Sequence, residues 1–180
     1  ETSLELGKID NLSEEEQDAL FKMISLGALK YFILKVDPKK TMLFDPKESI
    51  DFNGNTGPFI QYTHARIKSI LRKADEKAIA HTADAVKTDS ELTPKEVRII
   101  KILNTFPAKV AEAGAAHSPA VIANYAFELA KEFNQYYHDT PSLREENQAL
   151  LQYRLVLVET IAKVLSKAMS ILGINLPERM

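Results

Sequence analysis

The sequence predicts an all-α fold: a helical bundle that follows a short, mostly helical lead-in. Apolar residues recur every three or four positions over much of the chain, which is the period of an amphipathic helix. Prolines, two of them preceded by Ser or Thr at a helix start, divide this pattern into segments of helical length. With 180 residues, 45% of them hydrophobic, the chain can bury one sizeable core.

The first helix is expected from Ser13 to about Val36. Ser13 and Glu16 have the spacing of a capping box, and three successive glutamates suit the positive end of the helix dipole. The apolar stripe consists of Leu20, Met23, Ile24, Leu26, Leu29, Phe32, Ile33 and Val36. Two prolines mark the segment 37–55 as a connector, with a short extended piece expected at Thr41–Phe44 and a domain boundary after residue 52.

The rest of the chain divides into five helices. Their expected ranges are Pro58 to about Val86, Thr93 to Pro107, Ala108–Ala116, one that opens at Ser118–Pro119, and about Leu143 to Leu172. The last helix is apolar almost all round, so we expect it at the centre of the bundle. Gly173 is the expected stop signal for that helix.

The composition excludes several classes of function. The formal net charge of -2 does not indicate a nucleic-acid binder, so any basic surface must be local. The chain has no cysteine, which excludes disulfides, thiolate catalysis and cysteine zinc sites. Its longest aliphatic runs are about four residues, too short for a membrane span. It begins without a signal-peptide pattern or an initiator methionine, and we expect a piece of a longer protein.

The helix that starts at Pro58 carries an aromatic and basic stripe beside its core face. At 100° per residue the stripe contains Phe59, Tyr62, Arg66, Lys73 and Lys77, with Ser69 at its edge. Between Pro58 and Lys77 there are five positive and two negative residues. Such a stripe suits single-stranded nucleic acid, because bases stack on aromatic rings while Arg and Lys contact phosphates. Alternatively, the aromatic rings pack under a neighbouring segment and the lysines are a solvated face.

The sequence contains no catalytic motif. Glycine-rich phosphate loops are absent, and the four histidines lack metal-ligand spacing, so no metal site is expected. His64 lies next to the core side, where a structural hydrogen bond is expected. Glu145 and Glu146 are expected in the first turn of the last helix, where acidic residues serve the dipole rather than acid–base chemistry.

Several stretches resemble the arginyl-tRNA synthetases, a family of class I aminoacyl-tRNA synthetases. These are "FNGNTGPFIQYTHARIKSILRKA" (Phe52–Ala74), "GALKYFIL", "ELAKEFNQYY", "YRLVLVETIAKVL" and the ending "LGINLPERM". They occur in the family's order, from about residue 26 to Met180. The resemblance implies that residues 53–180 form a DALR-type anticodon-binding bundle. Residues 1–52 would then be the tail of the catalytic region, which contacts the inner corner of the tRNA.

The resemblance also implies an activity for the parent protein. Such an enzyme uses ATP, with magnesium, to activate L-arginine and transfers it to an arginine tRNA. Its catalytic core carries HIGH-like and KMSKS-like motifs that are absent here, so this chain alone is expected to be inactive and to hold no cofactor. "FKMISL" at Phe21–Leu26 looks like the second motif but lies within the apolar stripe of the first helix. The parent is expected to be a cytoplasmic monomer without a DNA or membrane partner.

By motif position, the resemblance implies a set of tRNA contacts. The set is Asn53, Gly54, Asn55, Thr56, Gly57, Phe59, Tyr62, Arg66, Lys73, Met180 and one of Tyr136 and Tyr137. Phe59 stands where the family more often has tyrosine, so stacking is retained but a hydroxyl bond is lost. Two other interpretations remain: a helical protein-interaction module without RNA binding, or the equivalent domain of another class I synthetase, such as the cysteine or methionine enzyme.

Overall fold

The computed structural model describes residues 13–82, 91–140 and 145–180, and within them it is all-helical, without a β-strand. This confirms the predicted fold class. The six helices are α1 (Glu14–Leu34), α2 (Pro46–Ser49), α3 (Gly57–Glu76), α4 (Pro94–Ala116), α5 (Ala120–Asp139) and α6 (Gln148–Ile171). None of the helices in these ranges is long and apolar enough to cross a membrane.

Helix α6 lies at the centre of the bundle, as predicted. Its residues Leu155, Val158, Ile161 and Leu165 are fully buried. Helices α3 and α5 pack against α6 and against each other, and α4 packs along α5. The two helices that carry the predicted contact residues, α3 and α5, are therefore both fixed on the same core.

Only part of the predicted stripe of α1 is buried, namely Leu20, Ile24 and Phe32. The predicted core positions Leu26, Leu29 and Ile33 are exposed, whereas the unpredicted Gly27 is buried. A Cβ atom on Gly27 would lie 2.5 Å from Nε2 of Gln61, and one on Gly57 would lie 2.7 Å from the Gly27 carbonyl oxygen. At Gly57 the two helices approach so closely that a side chain would meet the backbone of α1, and a side chain at Gly27 would displace the buried Gln61 amide.

Both predicted capping boxes are present, at Ser13 before α1 and at Thr93 before α4. Gly173 ends α6 as predicted, with a φ of +67°, and the amide N–H of Ile174 donates to the Met169 carbonyl oxygen at 2.9 Å. This is the hydrogen bond that closes a Schellman motif.

The connector and the end of α3 differ from the predictions. Thr41–Phe44 is not a strand, and Asp45 instead caps the short helix α2, which was not predicted from the sequence. Helix α3 ends at Glu76 rather than near Val86, which lies outside the described residues. Ala78 has a φ of +52°, a left-handed conformation that an α-helix cannot continue through.

Two helices were predicted, Thr93 to Pro107 and Ala108–Ala116, but the structure has a single helix there. Helix α4 continues through Pro107, which was predicted to end it. Pro107 removes one hydrogen bond, the one that the Leu103 carbonyl oxygen would accept. Pro107 and Ala108 are exposed, so the ring lies on the solvent side of the helix and displaces no core residue.

The start of α6 was also predicted wrongly. The helix begins at Gln148, after the N-cap Asn147, and not near Leu143, which lies outside the described residues. Glu145 and Glu146 therefore precede the helix instead of forming its first turn. Oε2 of Glu145 accepts a hydrogen bond of 2.5 Å from the Arg154 guanidinium, so its role is an ion pair.

Candidate nucleic-acid interface

Arg66 of α3 lies between two tyrosine rings where α3 and α5 cross. Its guanidinium carbon is 4.7 Å from the ring centroid of Tyr62, one turn earlier on α3. It is 5.6 Å from the ring centroid of Tyr137, near the end of α5. All three side chains are half-exposed. We call Tyr62, Arg66 and Tyr137 the tyrosine–arginine cluster, and both cation–ring distances lie within the range of a cation–π contact.

Tyr136 and Tyr137 point in different directions. The sequence could not show which of the two faces the surface. Tyr136 is fully buried, and its hydroxyl donates to Oε1 of Glu96 at 3.3 Å. Tyr137 stacks on Phe133, with 5.9 Å between the ring centroids, and reaches the surface beside Arg66. Of the two tyrosines, Tyr137 is therefore the one that a ligand can contact.

Glu96, which anchors Tyr136, is itself held in a buried polar network. Arg154 donates from Nε to Oε1 of Glu96 at 3.0 Å, and the backbone amide of Thr93 donates to the other oxygen. Burial raises the pKa of Glu96, but the bonds from Thr93 and Arg154 outweigh it and hold the pKa below its usual value. The ionised carboxylate thus ties α4, α5 and α6 together behind the cluster.

The other aromatic residues near the cluster have internal partners. Phe59 packs against Phe127 of α5, with 5.4 Å between the ring centroids, and is only half-exposed. Phe52 meets the Tyr62 ring edge-on at 6.4 Å. The interpretation that these rings pack under neighbouring segments therefore holds for Phe59, whereas Tyr62 keeps an exposed part beside Arg66.

The inner half of the loop before α3 holds the fold together. Thr56 is buried, and its hydroxyl caps the helix by accepting from the Phe59 amide at 3.2 Å. The Tyr31 hydroxyl donates to Oδ1 of Asn55 at 2.6 Å and also contacts the Ala123 carbonyl oxygen at 2.9 Å. Burial raises the pKa of Tyr31, so this hydroxyl stays protonated.

The exposure of the loop differs between its two ends. Asn53 is exposed and Gly54 is half-exposed, but Gly57 is buried against α1. Residues on both sides of the predicted domain boundary at 52/53 are joined by the Tyr31–Asn55 hydrogen bond. The outer end of the loop is thus accessible to a ligand, and the inner end joins α1 to α3.

The last residues of the chain lie on a different face of α3. Nδ1 of His64 donates to the Pro177 carbonyl oxygen at 2.9 Å, and the Arg72 guanidinium donates to the Glu178 carbonyl oxygen at 2.8 Å. At 100° per residue, His64 lies roughly 200° and Arg72 roughly 280° around the helix from Tyr62. We call residues 174–180 the terminal segment. Its Met180 is half-exposed, and Pro177 and Glu178 hold the segment against His64 and Arg72 rather than against the cluster.

His64 has the structural role predicted for it. It is buried, and burial followed by the nearby charge of Lys68 lowers its pKa. A neutral imidazole with its proton on Nδ1 satisfies the Pro177 carbonyl. No group of His, Asp or Glu side chains in the described ranges is arranged to hold a metal ion.

The positive charges on the cluster side of α3 have no carboxylate partner within the described ranges. Lys73 is exposed and Arg66 is half-exposed, and neither forms an ion pair with any residue that the structure describes. By contrast, Nζ of Lys68 lies 3.0 Å from a carboxylate oxygen of Glu178. Uncompensated guanidinium and ammonium groups beside exposed aromatic rings can bind a polyanion that carries stacking bases.

Asn134, the hydrogen-bond partner of Arg66, was not predicted from the sequence. The amide oxygen of Asn134 accepts from the Arg66 guanidinium, and its nitrogen donates to the Thr63 hydroxyl at 2.7 Å. Asn134 precedes Tyr137 by three positions on α5. That spacing places the two side chains on one face of a helix. It is the feature of the sequence from which Asn134 could have been predicted.

Comparison with known proteins identifies the family of this chain. Residues 60–180 match the model of the DALR anticodon binding domain. The arginine–tRNA ligase of Phocaeicola vulgatus is 55% identical over all 180 residues, which cover 30% of that protein. That of Porphyromonas gingivalis is 48% identical over the same span and share. The chain thus spans about 30% of the length of the curated relatives it matches.

Solved structures give the same result. The arginyl-tRNA synthetase of Thermus thermophilus superposes with a TM-score of 0.83 at 35% identity, over 96% of this chain and 29% of that one. The arginyl-tRNA synthetase of Plasmodium falciparum superposes with a TM-score of 0.79 at 23% identity, over the same shares, and shows the fold alone. These matches do not favour an unrelated interaction module or the domain of another synthetase. The chain belongs to the family of DALR anticodon-binding domains.

Proposed function

We propose that this chain binds the anticodon arm of an arginine tRNA through the tyrosine–arginine cluster. The observation that carries the proposal is the position of Arg66, half-exposed between the rings of Tyr62 and Tyr137 and without a carboxylate partner among the described residues. The similarity to arginine–tRNA ligases over the whole chain supports the identity of the tRNA.

In this proposal the two tyrosines are stacking surfaces for bases of the anticodon loop. Stacking of a base on an aromatic ring is worth about 1–3 kcal/mol. Arg66 donates hydrogen bonds to a base edge or a phosphate, and Lys73 contacts the backbone further along α3. Phe59 supports this surface through its packing on Phe127.

The remaining predicted contacts belong to the periphery of the proposed surface. Asn53 and Gly54 are the accessible part of the loop and would contact the tRNA arm, while Asn55, Thr56 and Gly57 shape the loop from inside. Tyr136 acts from the core by anchoring the end of α5. Met180 stays a proposed contact, but the terminal segment is held against the His64 face of α3, so Met180 would meet the tRNA outside the cluster.

We also propose that the chain is the anticodon-binding part of a longer arginine–tRNA ligase. The parent would use ATP with magnesium to attach L-arginine to its tRNA, as a cytoplasmic monomer. The support is that the relatives are arginine–tRNA ligases and that the chain spans about 30% of their length. The chain alone is expected to show no aminoacylation, because the HIGH-like and KMSKS-like motifs are absent from its sequence.

The test is the binding of this chain to an arginine-tRNA anticodon stem–loop and to one with a changed anticodon, at low and moderate salt. We expect tighter binding to the arginine anticodon, and a loss of about 5- to 150-fold for Tyr62→Ala. Lys73→Ala should lower the salt dependence by about one unit of slope. Lys101→Ala, an exposed lysine on α4, is the control. Equal binding of both stem–loops would contradict anticodon recognition.

A further inference from the structure

Asn134 connects the cluster to the core of the bundle. It lies on α5, one turn before Tyr137, and is half-buried. Its amide contacts three groups: the Arg66 guanidinium, the Thr63 hydroxyl at 2.7 Å and the Ala130 carbonyl oxygen at 3.0 Å. Thr63 is fully buried, so this chain of bonds runs from the surface into the α3–α5 contact.

The donors and acceptors around Asn134 allow only one orientation of its amide. The Ala130 carbonyl can only accept, so it must face the NH2 group. The Thr63 hydroxyl donates its proton to the Phe59 carbonyl at 2.8 Å and therefore accepts from the same NH2 group. The amide oxygen is left to face Arg66, which can only donate. Each of the three partners is thus matched to an atom of the amide that can bond it.

From this geometry we propose that Asn134 is a positioning residue for RNA binding: it fixes the Arg66 guanidinium between Tyr62 and Tyr137 before the RNA arrives. The inference rests on the proposed function. An arginine side chain has several rotatable bonds, and ordering such a side chain during binding weakens affinity by about 2- to 12-fold. With Asn134 in place, that ordering is already present in the free protein.

The chemistry of asparagine suits this role better than that of a carboxylate. An Asp or Glu at the same place would hold the guanidinium in a charge-assisted hydrogen bond, but it would also cancel the positive charge. Asn134 uses one N–H of a group that has five and leaves the charge intact. The remaining donors stay available to an acceptor on the RNA.

The test is a double-mutant cycle for binding to the arginine-tRNA anticodon stem–loop. The chains compared are the unsubstituted one, Asn134→Ala, Arg66→Ala and the double variant. We expect Asn134→Ala to weaken binding by about 2- to 12-fold, and to have no further effect once Arg66 is replaced. Asn134→Asp should also weaken binding, because it adds a negative charge at the site.

A second measurement reports on position without RNA. The Nε–H group of Arg66, assigned by its loss in Arg66→Lys, should give a rigid heteronuclear NOE in the free chain and a mobile one in Asn134→Ala. Should Asn134→Ala fail to fold, Thr63→Val removes one of the three partners of Asn134 while filling the same space, and it should loosen Arg66 in the same direction.

The outcomes separate the inference from the proposed function. If Arg66→Ala weakens binding but Asn134→Ala does not, or if Asn134→Ala weakens it equally in both backgrounds, the positioning role is overturned and RNA binding stands. An unchanged NOE in Asn134→Ala also overturns it. If the unsubstituted chain and Arg66→Ala bind alike, the proposed function fails and the inference falls with it.

Discussion

Two faces of α3 both carry positive side chains, but the partners of these side chains differ between the faces. On one face, Arg66 contacts aromatic rings and a neutral amide. On the other, Lys68 pairs with Glu178, and Arg72 binds the carbonyl oxygen of the same residue. The terminal segment thus covers the second face and supplies a carboxylate partner for Lys68, while the first face stays open. A count of charges along a helix does not show which of them are paired, whereas the structure does.

Replacing an arginine by glutamate should give the largest difference in RNA affinity between the two faces. Arg66→Glu places a carboxylate between the two tyrosines, and we expect affinity for the arginine-tRNA stem–loop to fall on the order of 100-fold. Arg72→Glu changes the net charge equally on the covered face and should leave binding nearly unchanged. Fluorescence anisotropy with a labelled stem–loop measures both. Equal losses would mean that net charge, not the open face, determines binding.

Removing the imidazole on the covered face should affect stability instead. His64→Ala leaves the buried Pro177 carbonyl without its donor, and we expect the free energy of unfolding to fall by about 1–3 kcal/mol. Denaturant titration measures this change. RNA affinity of the folded variant should be unchanged, and a parallel loss of affinity would show that the two faces are coupled.

The same histidine should make the covered face sensitive to pH. Burial lowers the pKa of His64 in the folded chain, so the unfolded chain binds the proton more readily. Stability should be complete above the unfolded pKa of about 6.5 and decline as the pH falls through 6 towards the lower folded pKa.

The pH effect is measured by the urea midpoint between about pH 7.5 and 5.5, the range that spans the unfolded pKa of histidine. His64→Gln should flatten that profile, and His138→Gln, at an exposed position, should not. Glu178, whose pKa is lowered by its hydrogen bond and charge pairing with Lys68, titrates below this window. A decline that persists in His64→Gln would assign the effect to another group.

The ion pair on the covered face should have the smallest effect. Lys68 and Glu178 are 33% and 71% exposed, so solvent screens their attraction. Lys68→Ala should lower the free energy of unfolding by less than about 1 kcal/mol, and added salt should shrink the difference. A larger loss in thermal unfolding would indicate that Lys68 also fixes the terminal segment.

Local signals in the sequence were enough for much of the fold. Capping boxes and the Gly173 stop placed helix ends correctly, because these devices act within one turn. Pro107 was predicted to end a helix, but α4 continues through it with the ring facing solvent. The sequence alone does not show which way the ring faces. The exposed side of α1 was also missed, because α1 meets α3 at Gly27, and periodicity of apolar residues cannot show a contact made by glycine.

Helical spacing could predict the candidate site only where one helix supplies it, and Tyr137 was among the predictions only through the family resemblance. Helical spacing alone groups Tyr62 with Arg66, because both lie on α3. Tyr137 and Asn134 come from α5, and their contacts with Arg66 depend on how the two helices cross. The sequence likewise could not show that the terminal segment lies against His64, since that contact joins residues 113 positions apart.

The contact between Gly27 and Gly57 has a mechanical consequence. Where side chains separate two helices, rotamer changes can absorb a small displacement of one helix before the other moves. Here a side chain at Gly57 would meet the backbone of Gly27, and one at Gly27 would meet the buried Gln61 amide. The Tyr31 hydroxyl adds a second fixed point between α1 and the loop that leads into α3. We therefore expect a displacement of α3 to move α1 with it, since neither position has a flexible side chain that could change rotamer instead.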